Sequence, residues 1–192
     1  MTPPTILTKR SEGSSLVEFA IALPLLVVFV VGVYDFSGAF NEKQKIEHAA
    51  LEGATVAGAQ PMTDIDPANG NPDSLQPVVA VVFNSLAANG VLANANQGSC
   101  KLPAAGAYSG GLTWTYTFPG CANYASGDTL QITIDRGWVP TGATPPVTVG
   151  TQVTVQYWYH WHFNSAIQLL FPGAAYNAST QIVETATVHN QM

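Results

Sequence analysis

The chain is predicted to be an α+β protein, a long N-terminal helix followed by a second helix and an antiparallel sheet. Two observations carry this. Apolar residues recur at helical spacing through the first third of the chain and again near residue 80, then at a spacing of two from about residue 112 onward. Helices collected first and strands afterwards fit an antiparallel sheet covered on one side, rather than alternating βαβ units.

Residues 1–13 hold Pro3, Pro4, Lys9 and Arg10 with no apolar period, and read as an unstructured cytoplasmic leader. A helix is expected over 14–60. Its first part, Leu16 to Tyr34, contains Glu18 as the only ionisable group before the tyrosine. Nineteen helical residues reach ~28 Å, close to the ~30 Å apolar thickness of a bilayer, so this segment is long enough to span it. Lys9 and Arg10 precede the run and the first charge after it is Asp35, which places the N-terminus in the cytoplasm and residues 61–192 outside as an exported head. Pro24 removes the bond to the carbonyl of Ala20 and marks a possible bend. Farther on, Phe36, Phe40, Ile46, Ala50, Gly53 and Ala57 are expected on one stripe. The series Ala49, Gly53, Ala57 and Ala50, Ala54, Gly58 would let another element approach closely.

Pro61 to Pro72 is a loop. Asp73 and Ser74 are expected to cap a second helix through Leu75, Val78, Val79, Val82, Phe83 and Leu86, stopped by Asn89 and Gly90. Strands follow at Leu112–Phe118, Leu130–Asp135, Val153–Phe163 and Gln181–Val188, with threonines and glutamines alternating against apolar side chains. Cys100 and Cys121, the only cysteines, fall in the exported part, which favours a disulfide over two unpaired thiols. Closing the twenty intervening residues would remove loop entropy worth ~3 kcal/mol from the unfolded chain.

Composition narrows the function. The net charge is -6, and loss of residues 1–13 would leave four basic and eleven acidic side chains. Nucleic acid is thereby excluded as an expected partner, since phosphate binding needs clustered Lys and Arg. No phosphate loop, nucleophile elbow or triad spacing is present, so no enzymatic activity and no cofactor are expected. His160 and His162 alternate onto one strand face and could ligate a metal; without a third ligand nearby, they read with Trp158 as a contact patch, and no metal site is assigned. The apolar run 166–173 is either core cover or a docking patch.

Glu18 needs a reason to stand in an apolar run, where an acid costs ~2.5–3.5 kcal/mol at the bilayer centre and less at an edge. One reading is a capping box, Ser15-Leu16-Val17-Glu18, at the helix start. The other supposes a cut between Gly13 and Ser14. The new α-amino group of one molecule could then meet the Glu18 carboxylate of its neighbour and set the register of adjacent helices.

These residues resemble the TadE-like minor pseudopilins of Tad (tight-adherence) pili, relatives of type IV pilins. The resemblance runs from Arg10 to Gly58. It rests on Gly13, Glu18 and Phe19, the Leu23-Pro24-Leu25-Leu26 start of the apolar run, Asp35-Phe36 at its end, and Ala49-Ala50-Leu51-Glu52-Gly53-Ala54. It implies a pseudopilin-like fold and cleavage by a prepilin peptidase between Gly13 and Ser14. It also implies subunit register through Glu18, with membrane and helix packing through Phe19, Leu23, Pro24, Leu25, Leu26 and Phe29. The implied partners are the lipid bilayer, other Tad pilins and pseudopilins, and the inner-membrane assembly platform. The implied location is the bacterial inner membrane and then the pilus or cell surface, with a part in pilus assembly, adhesion and colonisation. Asp35 stands where the family often has Glu, and the exported part is long for a major fibre subunit, which favours a minor role.

Two alternatives remain at this stage. A single-pass anchored binding domain would use Trp158 and the two histidines without polymerising. A secretory signal would be cut after Ala39, although the helical pattern runs straight through that point.

Overall fold

The computed structural model describes residues 11–67, 71–121, 129–144, 148–163, 173 and 179–191, with side chains from residue 15 onward. Helix α1 spans Ser11–Ala59 and includes Pro24 without interruption. A single 3-10 turn at Asp73–Leu75 leads into α2, Gln76–Ala88. Five strands follow: β1 Ala107–Gly110, β2 Thr113–Phe118, β3 Leu130–Trp138, β4 Gly150–His160 and β5 Ser179–His189. The chain divides into two compact units, residues 1–38 with 161–178, and residues 39–160 with 179–192. Most of the expected leader, residues 1–10, lies outside the described residues, as does most of the apolar run 166–173.

In the larger unit the sheet is an antiparallel meander in the order β1-β2-β3-β4-β5, each strand beside its sequence neighbour. Alternation at period two sends Trp114, Tyr116, Phe118, Leu130, Ile132, Ile134, Val153, Val155 and Tyr157 into the core. The half of α1 after Gly38 covers this face with Ile46, Ala49, Ala50, Gly53, Ala54, Ala57 and Gly58, all buried. Both expected small-residue series are thus at the contact. A Cβ on Gly53 would collide with the Val82 Cγ2 methyl of α2 and touch Val153 Cγ1 of β4 at 3.4 Å, so only hydrogen fits there. Helix α2 completes the layer with Val78, Val79, Val82, Phe83 and Leu86, and the Phe83 ring stacks on Phe118 at 5.4 Å.

Four details differ from expectation. Phe36 and Phe40 are 65% and 61% exposed. The six-residue step from Phe40 to Ile46 turns about 600°, roughly 120° short of two full turns, which carries the aromatic pair off the buried stripe. The cap before α2 comes from a distance: Asp64 Oδ2 accepts the Ser74 N–H at 2.8 Å, while neither Asp73 nor Ser74 bonds its own helix start. Strand β1 was not expected, since Ala-Tyr-Ser-Gly has neither the length nor the alternation of a strand. Its pairing with β2 supplies what propensity does not. Strand β4 ends at His160, three residues before the expected Phe163.

Among the described residues Arg136 is the one fully buried cation. It continues the inward series Leu130, Ile132, Ile134 on β3 and is 0% exposed. Its guanidinium donates to the carbonyls of Ala57, Gln60 and Pro61 and, at 3.0 Å, to Thr151 Oγ1. The last carbonyls of a helix have no partner within it, so this side chain closes the C-terminal end of α1. Burial pulls the guanidinium below its usual pKa, and the Asp64 carboxylate works in the opposite direction. Cys100 and Cys121, both buried, are joined by a disulfide.

Candidate functional site

The first half of α1 carries the residues on which function turns. An eighteen-residue window of this helix has a mean hydropathy of 2.7 with none of it buried, long and apolar enough to cross a membrane. Phe19, Leu23, Leu25, Leu26 and Phe29 all lie exposed along it. Glu18 shares a shallow face with Ile21, Ala22, Leu25 and Phe29, at helical steps of three and four. Gly13 and Ser14 lie in the first turn of α1, one turn before Glu18.

At the other end of the apolar run a second cluster forms. Asp35 is only 1% exposed although it is a carboxylate on the outer half of the helix. The His162 backbone N–H donates to its Oδ1 at 3.1 Å, the Phe163 backbone N–H to its Oδ2 at 3.0 Å, and His162 Nδ1 lies 3.1 Å from Oδ1. Both oxygens are thereby satisfied by residues just past β4, so the buried charge is tolerated. Trp161 sets its ring edge-to-face on Phe36 at 5.1 Å and lies 6.4 Å from Phe163. Phe163 rests against Gly32, where a Cβ would stand 3.3 Å from its ring.

This cluster revises the pairing of the histidines. His160 ends β4 opposite Ser179, whereas His162 has left the strand and faces Asp35. Among the described residues no group of three or more His, Cys, Asp or Glu could hold a metal. Trp158 and His160 belong to the sheet face turned from the core. That face is uncharged except for Asp135 and is dominated by threonine and glutamine. One row runs Thr115, Thr133, Thr154 and Thr185 across four strands, with Thr115–Thr133 and Thr154–Thr185 hydroxyls 3.1 Å apart.

The exposed apolar helix with one acid near its start, continuing into a small-residue half packed on a sheet, is a pilin-like arrangement. Residues 13–55 match the family of TadE-like proteins. The TadE-like segment begins at Gly13, takes in Glu18, the whole apolar run and Asp35, and stops just short of the end of α1. The match covers 43 of the 192 residues, all of them in α1. The sheet lies outside the TadE-like match. No curated protein and no solved structure matches the chain. The disulfide and the buried Arg136 therefore have their account in the sheet's own physics.

Sequence reasoning singled out Gly13, Ser14, Glu18 and the apolar run. It did not find the Asp35 cluster, because the partners of Asp35 stand far along the chain at residues 162 and 163. The one available signal was an acid directly behind nineteen residues otherwise almost free of charge.

Proposed function

We propose that this chain is a minor pilin of a Tad pilus, made as a single-pass inner-membrane precursor and drawn from the bilayer into, or onto the end of, a fibre. The reading rests on one observation above all: the TadE-like match takes in a helix with an eighteen-residue apolar window that is wholly exposed among the described residues. A prepilin peptidase removes residues 1–13 by cutting between Gly13 and Ser14. The mature chain then consists of the helix over 14–60, with its membrane segment 16–34, and the head over 61–192. In the bilayer the apolar side chains face lipid. In the fibre the same side chains, Phe19, Leu23, Leu25, Leu26 and Phe29 among them, face neighbouring helices, so transfer from one to the other exchanges one apolar surrounding for another.

Glu18 supplies the selectivity that apolar contact lacks. Van der Waals packing of such helices tolerates sliding by a turn, whereas a carboxylate left unpaired in an apolar bundle costs several kcal/mol. Only the register that brings the neighbour's Ser14 amine to Glu18 avoids that cost. The partners are the peptidase, the assembly platform and other Tad pilins; the work is assembly, adhesion and surface colonisation.

Intact mass of the membrane-extracted protein tests the processing step. A chain beginning at Ser14 is expected; one beginning at Met1 would leave only a simple anchor, and one beginning at Phe40 would mean secretion. Glu18→Ala tests the register. Membrane insertion should persist while the chain disappears from sheared pili, and undiminished incorporation would reject that role.

A further inference from the structure

We infer that the corner Trp161–Phe163, clasped to α1 by Asp35, is a docking surface for the phospholipid bilayer. This rests on the anchor reading above and adds a second contact with the membrane, distinct from the span itself.

Position comes first. Asp35 directly follows the run Leu16 to Tyr34, so on that reading it stands at the outer boundary of the hydrocarbon. Around it are four aromatic residues: Tyr34 and Phe36 on the helix, 76% and 65% exposed, and Trp161 and Phe163 packed beside them. Trp and Tyr concentrate at this depth because one end of each ring is apolar and the other donates a hydrogen bond.

Charge is the second argument. A free carboxylate at the edge of the hydrocarbon would be costly, but Asp35 is buried and its two oxygens take two backbone N–H groups. The clasp thus hides the charge and fixes the aromatic corner in one step. The connection between β4 and β5 has no Asp, Glu, Lys or Arg anywhere from 161 to 178. Lipid is favoured over a protein partner because the corner is clasped to the residue directly behind the apolar run and carries no Asp, Glu, Lys or Arg of its own.

The test uses the full chain in vesicles of phosphatidylethanolamine and phosphatidylglycerol, part of the lipid brominated on the upper acyl chain. Tryptophan emission should be quenched by the bromines, and Trp161→Phe should lose most of that quenching while Trp158→Phe keeps it. Asp35→Ala should release the corner and likewise lose most of the quenching, yet still float with the vesicles. Undiminished quenching in Trp161→Phe would overturn the inference even though the protein floats. Undiminished quenching in Asp35→Ala would overturn the clasp. Failure of the unaltered chain to float at all would remove the anchor and this surface together. Trp161→Phe preserves an aromatic ring at the site, so its result stands even if Asp35→Ala folds poorly.

Discussion

Replacing Arg136 by Met keeps an unbranched stem of similar build but removes every donor. Four acceptors then lose the guanidinium: the carbonyls of Ala57, Gln60 and Pro61, and Thr151 Oγ1. Gln60 and Pro61 are partly or fully exposed and can turn to water, whereas Ala57 and Thr151 are 0% exposed and cannot. The Ala57 carbonyl keeps the Gln60 amide and Thr151 Oγ1 keeps Asn190 Oδ1, so each buried acceptor loses one bond from a charged donor, worth about 1.5–3 kcal/mol, and with a smaller loss at the two wetter carbonyls the sum is about 3–5 kcal/mol. Against a total stability of ~5–15 kcal/mol this is a large share, and at about 2–4 °C per kcal/mol the midpoint should fall by roughly 6–20 °C. Arg136→Lys keeps the charge and can reach one or two of the same acceptors, and should lose about half as much. Near-ultraviolet circular dichroism of the detergent-solubilised full chain, heated with the disulfide intact, reads the unfolding of the sheet. A midpoint for Arg136→Met within error of the unaltered protein would refute the claim that this guanidinium closes α1.

Gly53→Ala gains about 1 kcal/mol of helix propensity but places a methyl on Val82. Overpacking of that kind costs about 1–3 kcal/mol, so a net loss is expected in chemical denaturation, with recovery in the double variant Gly53→Ala, Val82→Ala. Asp64 feels two opposed influences. Slight burial raises its pKa, while the Ser74 bonds and Arg136 lower it, and the net shift is downward from 3.8. A lowered folded value means that its contribution is present above the unfolded pKa and is lost as the pH falls through the folded one. Asp64→Asn should therefore flatten the loss of stability below about pH 4, as followed by acid titration of tryptophan emission. Burial pushes the Tyr116 phenol up to about 12, so its neutral form stabilises the fold fully below pH 10, and that contribution fades as the pH rises toward the folded value. Absorbance at the tyrosinate band should show one phenol ionising only together with unfolding, and Tyr116→Phe should remove that step.

How far the fold was legible depends on the range of the interactions involved. The helices and the longer strands follow from spacing alone, because Val78 to Leu86 and Leu130 to Ile134 each carry their period within a few residues. The small-residue series on α1 was legible for the same reason, and both members lie against the core. The edge strand β1 was hidden, since its four residues become a strand only through β2. Arg136 was hidden differently: the alternation places it inward, but a charge at an inward position reads as the end of the strand until the carbonyls at residues 57 to 61 are brought to it. Asp35 and residues 162 and 163 illustrate the same limit at the site. Local pattern reports which side chains must leave water, and it does not report which distant amide will receive a carboxylate.

The meander has a consequence for the order in which the larger unit closes. Every strand pair joins neighbours in the chain, so each of the four pairs can zip up as soon as its second strand is complete. The exception is the seam between the beginning and the finish: Val188 of β5 abuts Gly58, and the Gln191 amide bonds the Gly58 carbonyl. The helix end and the final strand thus lock like a zipper's pin in its box, and a chain in which β5 has yet to pair keeps that side ajar. Trimming even the last few residues of β5 would be felt at the far end of the sequence, where α1 stops.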